Sequence, residues 1–422
     1  MSQSLLELVD PKSYAERGHP HDTWARLRRE SPVHRCEPPG WEPFWAITRH
    51  ADICSISKDP ASYSNADGIV LMTPEMVERQ REQGRQGFAG MRTIIEMDPP
   101  EHRSFRKVAS GWFTPRSLAR LDAAIDASAV RLVDELVAEA RAQGGTAVCD
   151  FVARVAARHP LRILSTILGV SQEDEPTILR MTNELFGSDD PDFQPTPDKR
   201  KNQQQLGLEF YQYFSKIIAD RRAQPRDDLA SVLALGRIDG APMGEFETLG
   251  YYLITFTAGH ETTRNAISGG LQALAEQPAE WRKLRRDASL IPTAVEEIVR
   301  WTTPVSYMKR TATRDVVFQG RSIRKGDRLL LCYASANRDE SVFDEPFRFR
   351  VDRAPNPHLG FGIGEHFCLG AHLARASQRA LLRELTSRIE SLELAGDPKR
   401  VHAVLVHGVK QLPIRYRIAA AR

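Results

Sequence analysis

The sequence has no apolar run long enough to span a membrane, and its opening stretch, MSQSLLELVDPKSYAERGHPHD, has no leader-like apolar core. A cytoplasmic protein without a membrane anchor is expected. Cysteine is scarce: Cys36, Cys54, Cys149, Cys332 and Cys368 are scattered and odd in number, with no pair at metal-site spacing. This argues against a disulfide framework or a cysteine-clustered metal site, and for a reducing compartment. Neither sign of charge dominates, because 58 basic residues face 55 acidic ones for a net charge of +3. So even a balance gives no reason to expect a nucleic-acid partner. No Gly-x-Gly-x-x-Gly follows a strand pattern, so neither a flavin nor a nicotinamide fold is expected. No proline-, glycine- or serine-rich linker, repeat or low-complexity block divides the 422 residues, and the acidic, proline-containing stretch 189–197 is too short for one. One domain over residues 1–422 follows, with 1–20 loosely ordered. The 41% of hydrophobic residues is ample for its core.

Helical patterning dominates what is present. Apolar residues recur at helical period through 116–142, 203–222, 246–275 and 371–390. Strand patterns are short. Residues 316–318, a Gln319-Gly320 turn, Ile323, and then 329–332 after Lys325-Gly326-Asp327 read as a small hairpin sheet. The tail 411–416 alternates like an edge strand. The expected fold is mainly α with a small β region.

The most informative stretch is 361–370, FGIGEHFCLG. It places Cys368 in a glycine-rich turn just ahead of a helical pattern, where the helix dipole and unpaired N–H groups favour a thiolate. Gly362, Gly364 and Gly370 leave room for a flat group to approach the backbone. Such a sulfur suits one face of a haem, although a lone cysteine is more often a buried structural residue. The run resembles, position by position, the haem-ligand loop of the cytochrome P450 family, Phe-Gly-x-Gly-x-His-x-Cys-x-Gly. The resemblance implies that Cys368 ligates the iron of haem b, that His366 contacts a haem propionate, and that Phe361 packs beside the sulfur. It also implies the family's fold, with haem between a distal oxygen-binding helix and the proximal cysteine-bearing helix.

A second departure from good helix sequence is Ala258-Gly259-His260-Glu261-Thr262-Thr263, because glycine and paired threonines are poor mid-helix choices. A threonine hydroxyl there can bond back to a carbonyl and open the ladder. A helix crossing that needs small residues would explain the run equally well. The segment resembles the family's distal helix, which implies that Glu261 and Thr262 are the acid–alcohol pair delivering protons during oxygen reduction, while Ala258 and Gly259 leave room over the haem.

Glu297 and Arg300, at i and i+3, would alone be an ordinary surface pair. They resemble the family's Glu-x-x-Arg element, with Arg353 as third partner in a structural role. His102, Arg106 and Arg310 resemble its propionate anchors, a task suited to bidentate cations. With no flavin or iron–sulfur motif, electrons are expected from a ferredoxin and its reductase, docking near Arg103, Lys107 and Arg116. By the same resemblance the substrate pocket draws on 68–95, 181–186, 253–257, 304–308 and 404–408. Val70, Leu71, Phe186, Thr257, Val305, Met308 and Val406 are the expected contacts, with Ile69, Met72, Phe88 and Leu185 as further lining.

The implied activity is haem-thiolate monooxygenation of a steroid, terpenoid or branched lipid by a monomer. Residues 259–265 and 355–360 resemble steroid and branched-lipid hydroxylases, and 335–339 with 409–417 resemble the terpineol-oxidising type. The alternatives are a peroxide-driven peroxygenase, a hydroxylase of aromatic or polyketide substrates, and a non-catalytic haem protein. The peroxygenase type lacks an acid–alcohol pair, and no sensor-output domain is visible for the last.

Overall fold

A 32-residue helix, Glu245–Glu276, organises the molecule. It starts where the Glu247 carboxylate accepts a 2.7 Å hydrogen bond from the Gly244 N–H, with Glu245 adding a second acid beside the positive helix end. Most of its length is buried, and helices Arg158–Leu168, Ile291–Thr302, Lys199–Ala223 and Ala371–Arg388 pack around it. A computed structural model of the chain describes residues 3–83 and 91–420. Among them no helix is long and apolar enough to cross a membrane.

The main core is helical and runs from Met91 to Tyr416. Two smaller clusters flank a five-stranded sheet of order Val33–Cys36, Phe44–Ile47, Arg328–Leu331, Met308–Ala312, Tyr63–Ser64. A second sheet has the order Ile389–Leu394, Pro413–Ile418, Thr146–Asp150. The mainly α expectation with a minor β region holds.

Three local expectations are corrected. Val316–Phe318 and Arg321–Ile323 do pair across the Gln319-Gly320 turn, but Arg328–Leu331 pairs with Phe44–Ile47 and Met308–Ala312 instead. Its run of buried leucines needs neighbours on both sides, which an exposed hairpin does not offer. The tail strand is central rather than at an edge, and Pro413 is tolerated because it is the first strand residue. Residues 1–20 are not loose where described: Asp10 caps the helix Pro11–Arg17, while Leu8, Val9 and Tyr14 are buried. Apolar side chains hidden among polar neighbours gave that stretch its disordered look.

Gly250 sets where the segment after residue 90 crosses the long helix. A Cβ there would lie 2.2 Å from the Arg92 carbonyl oxygen, so only glycine admits this approach. The crossing brings Ile94 and Ile95 over the cavity described next.

Candidate active site

The 361–370 loop is built to present Cys368. The Cys368 N–H donates to the Phe361 carbonyl at 2.9 Å, and Gly362 and Gly364 take φ of 68° and 78°, a region glycine enters without penalty. Gly364 also abuts the Ser57 carbonyl, where a Cβ would stand only 2.5 Å away. The Arg375 guanidinium lies 4.4 Å over the Phe361 ring and pairs with Glu296 at 2.6 Å, which fixes that ring. Burial would raise the Glu296 pKa, but His358 and Arg375 together hold it down to about 2.

Behind this loop runs the helix Ala371–Arg388, and opposite it the long helix. The cavity between them is lined by Cys368, Gly362 and Gly370 on one wall and by Ala258, Gly259, Thr262 and Thr263 on the other. The Cys368 sulfur faces open space, but that space is the interior of this cavity. The expectation of a spontaneously favoured thiolate is corrected: burial pushes the thiol pKa up, outweighing the Gly370 N–H, Arg106 and Arg375, which lower it. A coordinated cation would reverse that balance, since metal binding deprotonates a thiol.

His102, Arg106, Arg310 and His366 gather on one lip of the cavity. The two imidazole rings are 4.2 Å apart, and both nitrogens of the buried His102, together with Nε2 of His366, have no hydrogen-bond partner. Burial, then His102, Arg310 and Arg106, lowers the His366 pKa to about 3. Arg106 donates to the Phe367 carbonyl at 2.6 Å, and Arg310 to the Lys309 carbonyl at 2.9 Å, leaving further guanidinium donors free. Unpartnered buried imidazole nitrogens and two guanidiniums beside a thiol suit a group that carries both carboxylates and a metal ion. Haem fits that donor set.

On the distal wall, the Thr262 hydroxyl donates to the Ala258 carbonyl at 2.8 Å, the back-bond expected of a threonine that loosens a helix. Residues 251, 254, 255, 258, 259, 262, 263 and 266 form one cavity-facing stripe at helical period. Glu261 falls just outside it. The Glu261 carboxylate is buried, ion-paired with Arg264, and accepts from Asn265 Nδ2 at 3.3 Å.

The expected substrate contacts divide. Ile69, Val305 and Met308 line the cavity. Val70 is 39% exposed, and Leu71 is buried in another cluster, with its N–H on the Tyr307 hydroxyl. Thr257 turns its hydroxyl to the Leu253 carbonyl, one helical step off the stripe. Val406 forms an antiparallel bridge with Val305 but is itself outside the lining. Phe186, Leu185 and Met72 also lie outside the lining, and Phe88 falls outside the described residues. Ile94, Ile95 and Ile254 fall within the expected segments 68–95 and 253–257 without having been singled out, whereas Leu164, on the helix Arg158–Leu168, lies outside every expected segment.

Glu297 forms the predicted buried cluster, 2.7 Å from Arg300 Nε and 3.0 Å from Arg353 Nε. Arg103 pairs with Glu365, while Lys107 and Arg116 are exposed.

The family model described as Cytochrome P450 matches residues 70–399. The chain is 36% identical to Cytochrome P450-terp of Pseudomonas sp over 97% of its own length and 96% of that protein. It is 36% identical to a methyl-branched lipid omega-hydroxylase of Mycobacterium bovis, covering 93% of this chain and 90% of that one. The crystal structure of CYP108D1 from Novosphingobium aromaticivorans superimposes with a TM-score of 0.88 at 38% identity, covering 99% of each chain.

Proposed function

The chain belongs to the cytochrome P450 family and is a monooxygenase, and on that premise we propose that it hydroxylates a neutral, branched aliphatic molecule of the terpenoid or branched-lipid class. The observation that carries the reading is the meeting of Cys368, His102, Arg106, Arg310 and His366 in one cavity with Thr262 on the facing wall. Cys368 would ligate the iron, while the two histidines and two arginines would take the propionates. Haem held there supplies reductive activation of O₂, one atom entering a C–H bond and the other leaving as water, with consumption of two electrons and two protons.

The chain's residues supply the rest. Ile69, Ile94, Ile95, Ile254 and Val305, with the unbranched Met308, give the substrate an apolar wall, which orients it by shape and excludes water. Thr262 lines the cavity, and its hydroxyl donates a hydrogen bond there on turning its one proton away from the Ala258 carbonyl, while Glu261, one residue away, is the acid that replenishes that proton. Electrons come from a ferredoxin and its reductase, with exposed Lys107 and Arg116 on the docking side. The protein acts in the cytoplasm through a single domain. The five free cysteines support a reducing compartment.

The test is spectroscopic. The reduced protein under carbon monoxide is expected to give the red-shifted Soret band of a thiolate-ligated haem, and a band typical of imidazole or water ligation would remove Cys368 from the role. Titration of the ferric protein with α-terpineol and with a medium-chain fatty acid should give a high-spin shift with the alcohol and not with the acid; the reverse would discard the neutral-substrate reading. Thr262→Ala should lower product formed per electron pair roughly tenfold, the effect of losing one hydrogen bond worth ~1.4 kcal/mol, with peroxide released instead. Unchanged coupling in that variant would rule out the role of the hydroxyl.

A further inference from the structure

Glu261 is enclosed beside the cavity by a set of side chains that one residue holds together. Arg264 is 2% exposed, although an arginine one turn along a helix would ordinarily reach solvent. Its Nη2 pairs with Glu261 Oε1, and its Nη1 donates to Asn183 Oδ1 at 2.6 Å. Asn183 belongs to a different element, the helix Glu175–Phe186. The long helix adds Asn265, which donates to the same oxygen of Glu261, and His260, whose Nδ1 is 4.0 Å from Glu261 Oε2. His260 donates from Nε2 to the Ala157 carbonyl at 3.0 Å, and burial followed by Arg264 lowers its pKa to about 3, so it stays neutral and does not compete for the carboxylate. The chain at Gly408 closes the side by Asn265: a Cβ there would fall 2.2 Å from Asn265 Cγ.

Two atoms inside this enclosure are unsatisfied. Glu261 Oε2 and Arg264 Nε are buried and have no hydrogen-bond partner. A buried carboxylate oxygen left bare is costly, so the observed pose is held by its one strong partner and not by the surroundings as a whole. Burial raises the Glu261 pKa, against the opposing pull of Arg264 and Asn265. Ala258 and Thr262 face the cavity while Glu261 falls just outside that stripe, so proton supply to Thr262 calls for the carboxylate to swing away from its pairing with Arg264.

We propose that Arg264 is a positioning residue: held by Asn183, it sets the direction of the Glu261 carboxylate, and so ties the placement of the helix Glu175–Phe186 to proton supply at Thr262. The proposal rests on the reading of Glu261 as the proton-replenishing acid. It assigns Arg264 no contact with substrate or haem.

The experiment compares the haem-loaded wild type with Arg264→Gln, Arg264→Lys, Asn183→Ala and Glu261→Gln. Infrared pH titration of the substrate-free ferric protein reads Glu261 directly, using Glu261→Gln spectra to identify its carboxyl band. In Arg264→Gln the titration of Glu261 should move up by about a unit or more, the size of a lost adjacent opposite charge. Arg264→Lys should restore the wild-type curve, and Asn183→Ala should give an intermediate shift. In a second arm, oxygen consumption with a surrogate ferredoxin and reductase is measured in H₂O and D₂O; Arg264→Gln should change the solvent isotope effect at least about twofold. If both arms match the wild type while Glu261→Gln is impaired, the positioning role falls and the acid reading stands. If Glu261→Gln itself keeps wild-type oxygen consumption and isotope effect, the acid reading falls and takes the proposal with it. Should Arg264→Gln not fold, Asn183→Ala carries the test, and a wild-type titration there overturns the link to the helix.

Discussion

Glu297→Gln should yield little folded, haem-loaded protein, and what folds should lose about 3–5 kcal/mol of unfolding free energy, the cost of stranding buried charge by removing one partner. The carboxylate serves both guanidiniums at once: Arg300 through Nε and Nη2 at 2.7 and 2.8 Å, and Arg353 through Nε at 3.0 Å. It also accepts from the Arg350 N–H at 2.9 Å and from Asn356 Nδ2 at 3.2 Å. Glutamine keeps the shape but removes the negative charge and turns an NH₂ group toward two cations that are at most 4% exposed. The two arginines in turn cap the carbonyls of Asn337, Asp344, Glu345, Pro346 and Arg348. Losing the cluster therefore releases the whole 337–353 segment, which leads into the cysteine loop. Denaturant unfolding and haem content measured together check this. A midpoint and haem occupancy equal to those of the wild type would show that the carboxylate charge is dispensable.

That cluster illustrates what was legible in the sequence. Glu297 and Arg300 carried a local i, i+3 pattern, but nothing in local sequence announces that Arg353, fifty-odd residues on, reaches the same two oxygens; only resemblance to a family supplied it. The cysteine loop and the long helix were readable because each breaks a local rule within a short window: glycines where the backbone turns left-handed, threonines where a helix would prefer alanine. Cavity contacts contributed by strands and loops were not, since whether Ile69 or its neighbours Val70 and Leu71 face inward depends on a tertiary crossing and not on composition. The Glu261 enclosure was invisible for the same reason, because Asn183 lies 81 residues from Arg264. The direction of the Cys368 pKa was misjudged because the helix dipole is a local feature of sequence, whereas desolvation is a property of the finished fold.

Acid should destabilise the protein well before its carboxylates protonate. His159 and His407 are buried with pKa values lowered to about 4, and His260 to about 3, in each case by burial first. His159 shows why: Nε2 donates to the Ser377 carbonyl at 3.1 Å, which leaves Nδ1 as the acceptor of the Ser128 hydroxyl at 3.0 Å, with no place for a second ring proton. These folded-state values lie below the unfolded histidine value of about 6.5, so as pH falls through that range the unfolded chain takes up protons that the folded chain refuses. Stability is then fully present above the unfolded value and declines as pH falls toward the folded ones. Each histidine contributes a slope of up to about 1.4 kcal/mol per pH unit, so the three together cost about 6 kcal/mol between about pH 7 and pH 5. His19 and His21, beside His407 at the N-terminal face and also lowered by burial, steepen the slope further. Glu296, held near 2 by His358 and Arg375, contributes no slope in this window; its stabilisation is lost as pH falls from the ordinary carboxylate value of about 4.3 toward 2. Urea unfolding followed at a series of pH values should show the decline, and His159→Gln should flatten it by about 1.4 kcal/mol per unit even if it lowers the plateau near neutrality. A stability profile that stays level down to about pH 5 would mean these imidazoles gain protons without unfolding, and so are less enclosed than their packing implies.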